Sequence, residues 1–366
     1  MYKRQVDILG LRMLSAIEDA VVIVETMTGT RPDLDRLTPD DPEVYAMLCR
    51  GETVGVFQVE SRAQASLIPN FKPTSFGDLT IQIALIRPGP LQGHMVRPYL
   101  RRRQGLEPVR YTHPRLKPAL EETLGVIVFQ EQVLKVARDL AGFTPGEGDQ
   151  LRRALGNKRA EEAILAFKDR FFEGARSLKV PEPAIEKVFA QLQAFGGYSF
   201  AKSHAAAFAV LTYQSAWLRR YHPAAFFAAL LRHQPMGFYP AHVIVSEARR
   251  HGVEIRGVDL HASDIGATVE SSASPPLGEN TKGGGAAHSA IRLGLEMVRG
   301  LGTEASTAIV EARKQRGFQS LTDLCHRTGL GRRAIEALIM AGALDRWDRS
   351  RRQLLWELQA AFEAAK

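Results

Sequence analysis

The junction Phe195-Gly196-Gly197-Tyr198-Ser199-Phe200-Ala201-Lys202-Ser203-His204, running into a long Ala-rich apolar stretch, constrains this chain more than any other feature. Two successive glycines let the backbone turn tightly without a Cβ penalty. Ser203 is placed to N-cap the helix that follows. Lys202 and His204 then stand beside free amide N–H groups at the positive end of a helix dipole, which suits a phosphate. A second basic loop lies upstream: Arg152, Arg153, Lys158 and Arg159 fall in a segment with no acid between Gln150 and Ala160. Two such elements in one chain point to a polyphosphate or nucleic-acid ligand. The alternative is a pair of solvated helix ends.

The 366 residues suffice for two or three domains. With 45% hydrophobic and 24% charged residues the chain can bury real cores, and overall disorder is excluded. A net charge of +8 favours a polyanionic partner. Cys49 and Cys325 form no C-x-x-C pair, so neither a disulfide framework nor a structural zinc site is expected, and a reducing cytosol is. The ten histidines show no H-E-x-x-H spacing. No signal peptide is expected, and the apolar region 205–231 is interrupted by Gln214, Arg219, Arg220, His222 and Pro223, so no membrane span is expected.

Residues 6–11 read as a short strand carrying Asp7 between apolar neighbours, followed by a helix over 13–26 and a polar, proline-punctuated link over 29–42. Apolar residues at helical spacing then recur over 43–50, 76–85, 130–142, 161–177 and 183–195. Residues 54–59 and 126–129 are short β-prone runs, and 253–260 reads as a strand. Residues 271–289 form a Ser/Pro/Gly-rich, flexible loop. Beyond it two similar units follow. Gly300-Leu301-Gly302 opens a helix through Arg313, and Gly329-Leu330-Gly331 opens one through Ala341, with Arg332 and Arg333 at its start. A Gly-hydrophobic-Gly hairpin before a helix resembles the helix-hairpin-helix module, whose amides bind DNA backbone phosphates without reading sequence. Ordinary αα turns are the other reading. A last helix spans 351–365, and both ends of the chain read as cut.

An ordered set of motifs runs through this framework. It comprises Val6-Asp7-Ile8-Leu9-Gly10-Leu11-Arg12, Gly55-Val56-Phe57-Gln58-Val59-Glu60-Ser61, Ile86-Arg87-Pro88-Gly89-Pro90-Leu91 and Val128-Phe129-Gln130-Glu131-Gln132. It continues through Leu151-Arg152-Arg153-Ala154-Leu155-Gly156 to Phe200-Ala201-Lys202-Ser203-His204. The set resembles the C-family of bacterial DNA polymerases, the polymerase III alpha subunits. Leu293 to Leu301 and Arg351-Arg352-Gln353-Leu354-Leu355-Trp356 resemble the error-prone branch within it.

The resemblance implies a mainly α chain: a helical fingers domain with a few short strands, then a tandem helix-hairpin-helix domain, incomplete at both ends. The implied division is 1–14 end of the palm, 15–257 fingers, 258–289 strand and linker, 290–345 tandem helix-hairpin-helix, and 346–366 the start of a further helix. It implies template-directed synthesis from dNTPs, including on damaged template. Asp7 matches the third catalytic carboxylate, a ligand in a two-Mg²⁺ site completed by residues outside the chain; the metals activate the primer 3′-hydroxyl and stabilise the leaving pyrophosphate. Pro32-Asp33-Leu34-Asp35 imitates the family's other carboxylate motif but lies after Asp7 in a loop, where capping or turn formation is its expected role. Gln5 stands where the family commonly has lysine, so no triphosphate contact is expected from it.

Arg152 and Arg153 resemble the fingers arginines that grip the triphosphate, with Lys158 in the same loop, and bidentate arginine suits that task. Lys202, Ser203 and His204 resemble the motif lining the nucleotide pocket. Tyr198 has two readings, a neighbour of the nascent base pair or a core aromatic. Arg87 likewise reads as a nucleic-acid contact or as a salt-bridged turn. Six arginines against Glu107 between Arg97 and Arg115, among them Arg101, Arg102 and Arg103, suggest a DNA-backbone face. Primer-template DNA, dNTPs, a sliding clamp and translesion accessory proteins are the implied partners, in the bacterial cytoplasm on the nucleoid. The rival readings are the replicative branch of the family and a non-catalytic helix-hairpin-helix DNA-binding protein.

Overall fold

Long runs of helical apolar spacing with few alternating segments should give helices stacked on helices. The computed structural model bears this out. It describes residues 12–86, 93–155, 160–195, 200–237, 239–271 and 289–365, with eighteen α-helices and one three-stranded sheet among them. The chain is therefore mainly α. It divides into two compact units, one of residues 38–213 and one of residues 1–37 with 214–366.

In the 38–213 unit the helix Gln130–Ala141 is central. Val133, Val136, Ala137, Leu140 and Ala141 lie on one face at helical spacing and are fully buried. The helices Pro145–Leu155, Lys168–Ser177 and Glu182–Phe195 enclose the same core with Phe171, Ile185, Val188, Phe189, Leu192 and Phe195. Thr144 and Glu147 form a capping box: the Thr144 N–H donates to the Glu147 carboxylate at 2.7 Å, and the Glu147 N–H donates back to the threonine hydroxyl. Arg170 also pairs with Glu147, and together these hold its carboxyl down at about 2.

Several expectations change here. The β-prone runs at 54–59 and 126–129 are not strands. Gly55 and Gln58 both adopt positive φ, so Gly55 to Glu60 coils through successive turns that bury Val56 and Val59. In 126–129 the N–H groups of Val128 and Phe129 donate to the Gln132 side chain instead of a neighbouring strand. Continuous apolar runs record burial, not pairing. The helix expected over 161–177 is two, Ala160–Leu165 and Lys168–Ser177, broken where Phe167 turns in toward Phe143. The long helix after residue 201 ends at Tyr221, and Pro223 opens another, Pro223–Arg232.

In the other unit the helix Arg12–Thr28 packs on Pro223–Arg232, whose residues Ala224 to Leu231 are all buried. The Arg219 guanidinium, with no exposed surface, donates to Glu247 at 2.7 Å. A small sheet follows: β1 (Glu254–Arg256), β2 (Thr268–Ser271) and β3 (Ser289–Arg292), in the order β1-β3-β2. Ile255 and Val269 both register on Ile291, parallel from β1 and antiparallel from β2. The strand expected over 253–260 is thus real but short. The helices Gly302–Gln315, Leu321–Thr328 and Arg332–Ala341 share one core that runs from Leu260 to Ala361, so Leu354 and Leu358 of Arg351–Ala364 seal the same domain. The strand expected over 6–11 and most of the 271–289 loop lie outside the described residues.

Two predictions follow from packing and burial. A Cβ at Gly174 would lie 2.0 Å from the Ala141 carbonyl oxygen, a backbone atom that cannot move aside. Gly174→Ala should therefore lower stability by about 1–3 kcal/mol, read as a lower urea midpoint for the 38–213 unit. Burial pushes the Glu60 carboxyl up to about 7, only partly offset by the Gly55 N–H. The folded state then keeps a proton that the unfolded chain has released. Its stabilisation is complete at low pH and is lost as pH rises through about 7. Thermal midpoints should fall between about pH 5 and pH 8, and Glu60→Gln should flatten that slope. Parallel pH profiles for both proteins would refute the assignment.

Candidate nucleic-acid interface

The start of the helix Lys202–Tyr221 is not an open anion site. Both oxygens of Glu131 accept from the Lys202 N–H, at 2.9 and 3.1 Å, across 71 residues of chain. The Lys202 ammonium reaches Glu122 at 2.5 Å and lies over the Phe129 ring. Ser203 falls inside the first turn and does not cap, which corrects the sequence reading: Ala201 precedes the helix, and Glu131 does the capping. A carboxylate from another helix thus sits where a phosphate was expected. His204 stands between the rings of Phe200 and Phe208 at 5.2 and 4.4 Å, a ladder continued by Phe57.

Arg152 and Arg153 project from the last turn of Pro145–Leu155 and are exposed. Both hold Asp149, at 2.8 and 2.9 Å, and chiefly Arg152 keeps that carboxyl below its usual range. Two fixed cations on one carboxylate leave a local excess of one positive charge. Among the described residues no hydrogen bond or ion pair joins these arginines to Lys202 or His204. Asp149 lies one residue before the acid-free window in the sequence, at the i−3 and i−4 spacing that a helix makes adjacent.

The expected DNA face at 101–103 divides. Arg101 is exposed and only loosely paired with Glu107 at 3.4 Å. Arg102 donates to the Leu124 carbonyl at 2.6 Å. Arg103 is a correction. Its two terminal nitrogens grip Asp78 at 2.6 Å each, its Nε donates to the Phe71 carbonyl, and it stacks over the Phe71 ring. Burial alone would raise the Asp78 carboxyl, yet the Arg103 hydrogen bonds hold it below its ordinary value. That guanidinium has no free edge for a phosphate.

The hairpins are built as the sequence suggests. Leu301 and Leu330 insert into the domain core, which fixes each turn from below. Gly300 and Gly302 need positive φ, +87° and +69°. Gly331 does not: it is extended at φ −69° and a Cβ there would touch nothing. No side chain caps either following helix, so the first-turn amides at Gly302 and at Arg332 have no side-chain partner from a cap. Arg333 is exposed and Arg332 pairs with Glu336.

Asp7, Arg87, Lys158 and Tyr198 lie outside the described residues. Among the described residues no three His, Cys, Asp or Glu side chains stand together to hold a metal ion. Asp33 caps the turn at Leu34–Arg36 by accepting from the Asp35 N–H and pairs with Arg36, the capping role expected of that segment. No helix among them is long and apolar enough to cross a membrane.

Comparison with known proteins agrees with this architecture. Residues 13–179 match the bacterial DNA polymerase III alpha subunit finger domain, and residues 252–354 match a helix-hairpin-helix motif. The chain is 47% identical over 357 residues to an error-prone DNA polymerase of Mycolicibacterium paratuberculosis, covering 97% of this chain and 31% of that protein. It is 46% identical over 359 residues to one of Methylococcus capsulatus, covering 96% and 34%. The chain thus spans about a third of the length of the curated relatives it matches. The fingers match, the hairpin match and relatives of this similarity together establish that the chain belongs to the bacterial DNA polymerase III alpha subunit family.

Proposed function

We propose that this chain supplies the nucleotide grip and a duplex hold for template-directed DNA synthesis by a longer error-prone polymerase, including synthesis past damaged template. The observation that carries the reading is Gly331. Neither backbone conformation nor crowding requires glycine there, and no side chain caps the helix it opens, which begins with two arginines. A DNA phosphate is the ligand that such a helix start accepts. Nucleotidyl transfer in this family uses Mg²⁺, to be held by Asp7 with carboxylates from beyond the chain. What this chain's described residues contribute is charge and orientation. The protein's place would be the cytoplasm, on the nucleoid, with a sliding clamp and translesion accessory proteins as partners.

In this reading Arg152 and Arg153 meet the incoming triphosphate, and Lys202 leaves Glu122 to join them. Magnitudes permit the exchange. An exposed ion pair contributes about 0–1 kcal/mol, whereas a hydrogen bond to a charged group contributes about 1.5–3 kcal/mol. Glu131 keeps the helix start fixed while the lysine side chain moves.

Two experiments test this. Gly331→Ala in the full chain should leave the thermal midpoint unchanged or slightly raised, because the backbone there suits alanine. The same change should weaken binding to a blunt DNA duplex, and wild-type affinity should fall steeply with salt. Unaltered duplex affinity in Gly331→Ala would make the hairpin a structural turn only. In the full-length polymerase, Arg153→Ala and Lys202→Ala should lower kcat as well as apparent dNTP affinity, by tenfold or more if about 1.5–3 kcal/mol is lost. Glu122→Gln, which frees the lysine, should tighten dNTP use by up to about fivefold, the value of one surface pair. Asp7→Asn should abolish chemistry while leaving primer-template affinity intact. Normal turnover in Asp7→Asn would overturn the catalytic assignment.

A further inference from the structure

Trp356 is the most exposed large apolar side chain among the described residues, at 77%. A single exposed apolar residue means little, but its surroundings are specific. Trp356 lies on the helix Arg351–Ala364, one turn after Arg352, and forms a shallow groove with Arg332, Arg352, Leu355 and Gln359. The groove adjoins the second hairpin, because Arg332 is the first residue of the helix that Gly331 opens. Its guanidinium is fastened on both sides, to Glu336 and to Gln359 at 2.8 Å each. The aromatic ledge is thereby tied to the uncapped helix start at the hairpin.

Charge identifies the occupant. From Arg327 to Arg352 the sequence carries seven arginines against Glu336, Asp345 and Asp348. Arg333 and Arg352 are exposed and make no ion pair among the described residues. One bare indole within a basic surface is poorly suited to an apolar protein face, since Leu355 is its only apolar neighbour in the groove. It is well suited to nucleic acid, where guanidiniums meet phosphates and the indole meets a base. Bases within a duplex present no free face, being covered by their neighbours. Away from a duplex end, an indole beside a backbone-gripping hairpin can therefore stack only on an unpaired base.

We propose that Trp356 is a stacking ledge for an unpaired base of single-stranded DNA next to the duplex held at the Gly331 hairpin, with Arg352 on the adjoining phosphate. The junction part rests on the duplex-binding reading above; the stacking itself does not.

The test uses the full chain with three labelled DNAs: a blunt duplex, the same duplex with a short single-stranded overhang, and the single strand alone. Wild type should prefer the overhang duplex to the blunt one by about fivefold or more, the range for one base stacked on an aromatic ring. Trp356→Ala should remove that preference and weaken single-strand binding while leaving blunt-duplex affinity unchanged. Trp356→Phe should keep most of both. Tryptophan emission should be quenched by the overhang DNA in wild type and not in Trp356→Ala. Absence of the preference in wild type, its persistence in Trp356→Ala, or an equal loss on blunt and overhang duplexes overturns the ledge. A wild-type chain that fails on the blunt duplex removes the hairpin reading, and the single-strand comparison still decides the ledge.

Discussion

The motif Phe129-Gln130-Glu131-Gln132 is the clasp on which the 38–213 unit depends. Gln132 accepts from the N–H groups of Val128 and Phe129 and donates to the Ala119 carbonyl and the Thr123 hydroxyl. These groups are buried, and a buried polar group left without its partner costs about 1–3 kcal/mol. The Gln130 N–H donates to the Phe200 carbonyl, and Glu131 caps the helix that begins at Lys202. Three consecutive polar residues thus set the start of the helix Gln130–Ala141, the loop before it and the approach of a segment seventy residues later. A helix start capped by a carboxylate from its own scaffold is held in one orientation before any ligand arrives. Pre-organisation of this kind is what the phosphate-gripping role proposed for Lys202 needs.

The helices and the hairpins were legible in the sequence because both depend on local chemistry. The helix at 76–85 appears with the expected bounds, and the last expected helix starts at Arg351 as read. Failures came where tertiary pairing decided the outcome. The runs at 54–59 and 126–129 have the apolar content of strands, but among the described residues no strand pairs with them. Arg103 carries no mark that separates it from Arg101, yet Asp78, twenty-five residues earlier, draws it inward. Glu131 bears no sign of its capping role in the sequence, because a capping carboxylate seventy-one residues away leaves no spacing signal. Asp149 is the one omission the sequence could have supplied, since i+3 and i+4 place it against Arg152 and Arg153.

The arginines show how one residue type is divided between holding the fold and facing a ligand. Arg219 meets Glu247 in surroundings closed to water, its side chain without exposed surface, while Arg103 grips Asp78 with both terminal nitrogens in a partly buried pair. Removing one partner from a buried pair costs about 3–5 kcal/mol, because the other charge is left stranded. A DNA phosphate cannot compete for those guanidiniums. Arg152, Arg153, Lys202 and Arg332 are each held by an acid, but on side chains between 43% and 75% exposed. Such pairs are worth so little that the triphosphate or backbone phosphate of the proposed function would displace the carboxylate at small cost. The carboxylate still orients its partner beforehand and lowers the local charge in the free protein. Candidate grip residues are therefore recognised less by the sign of the surface than by how weakly the protein itself neutralises them.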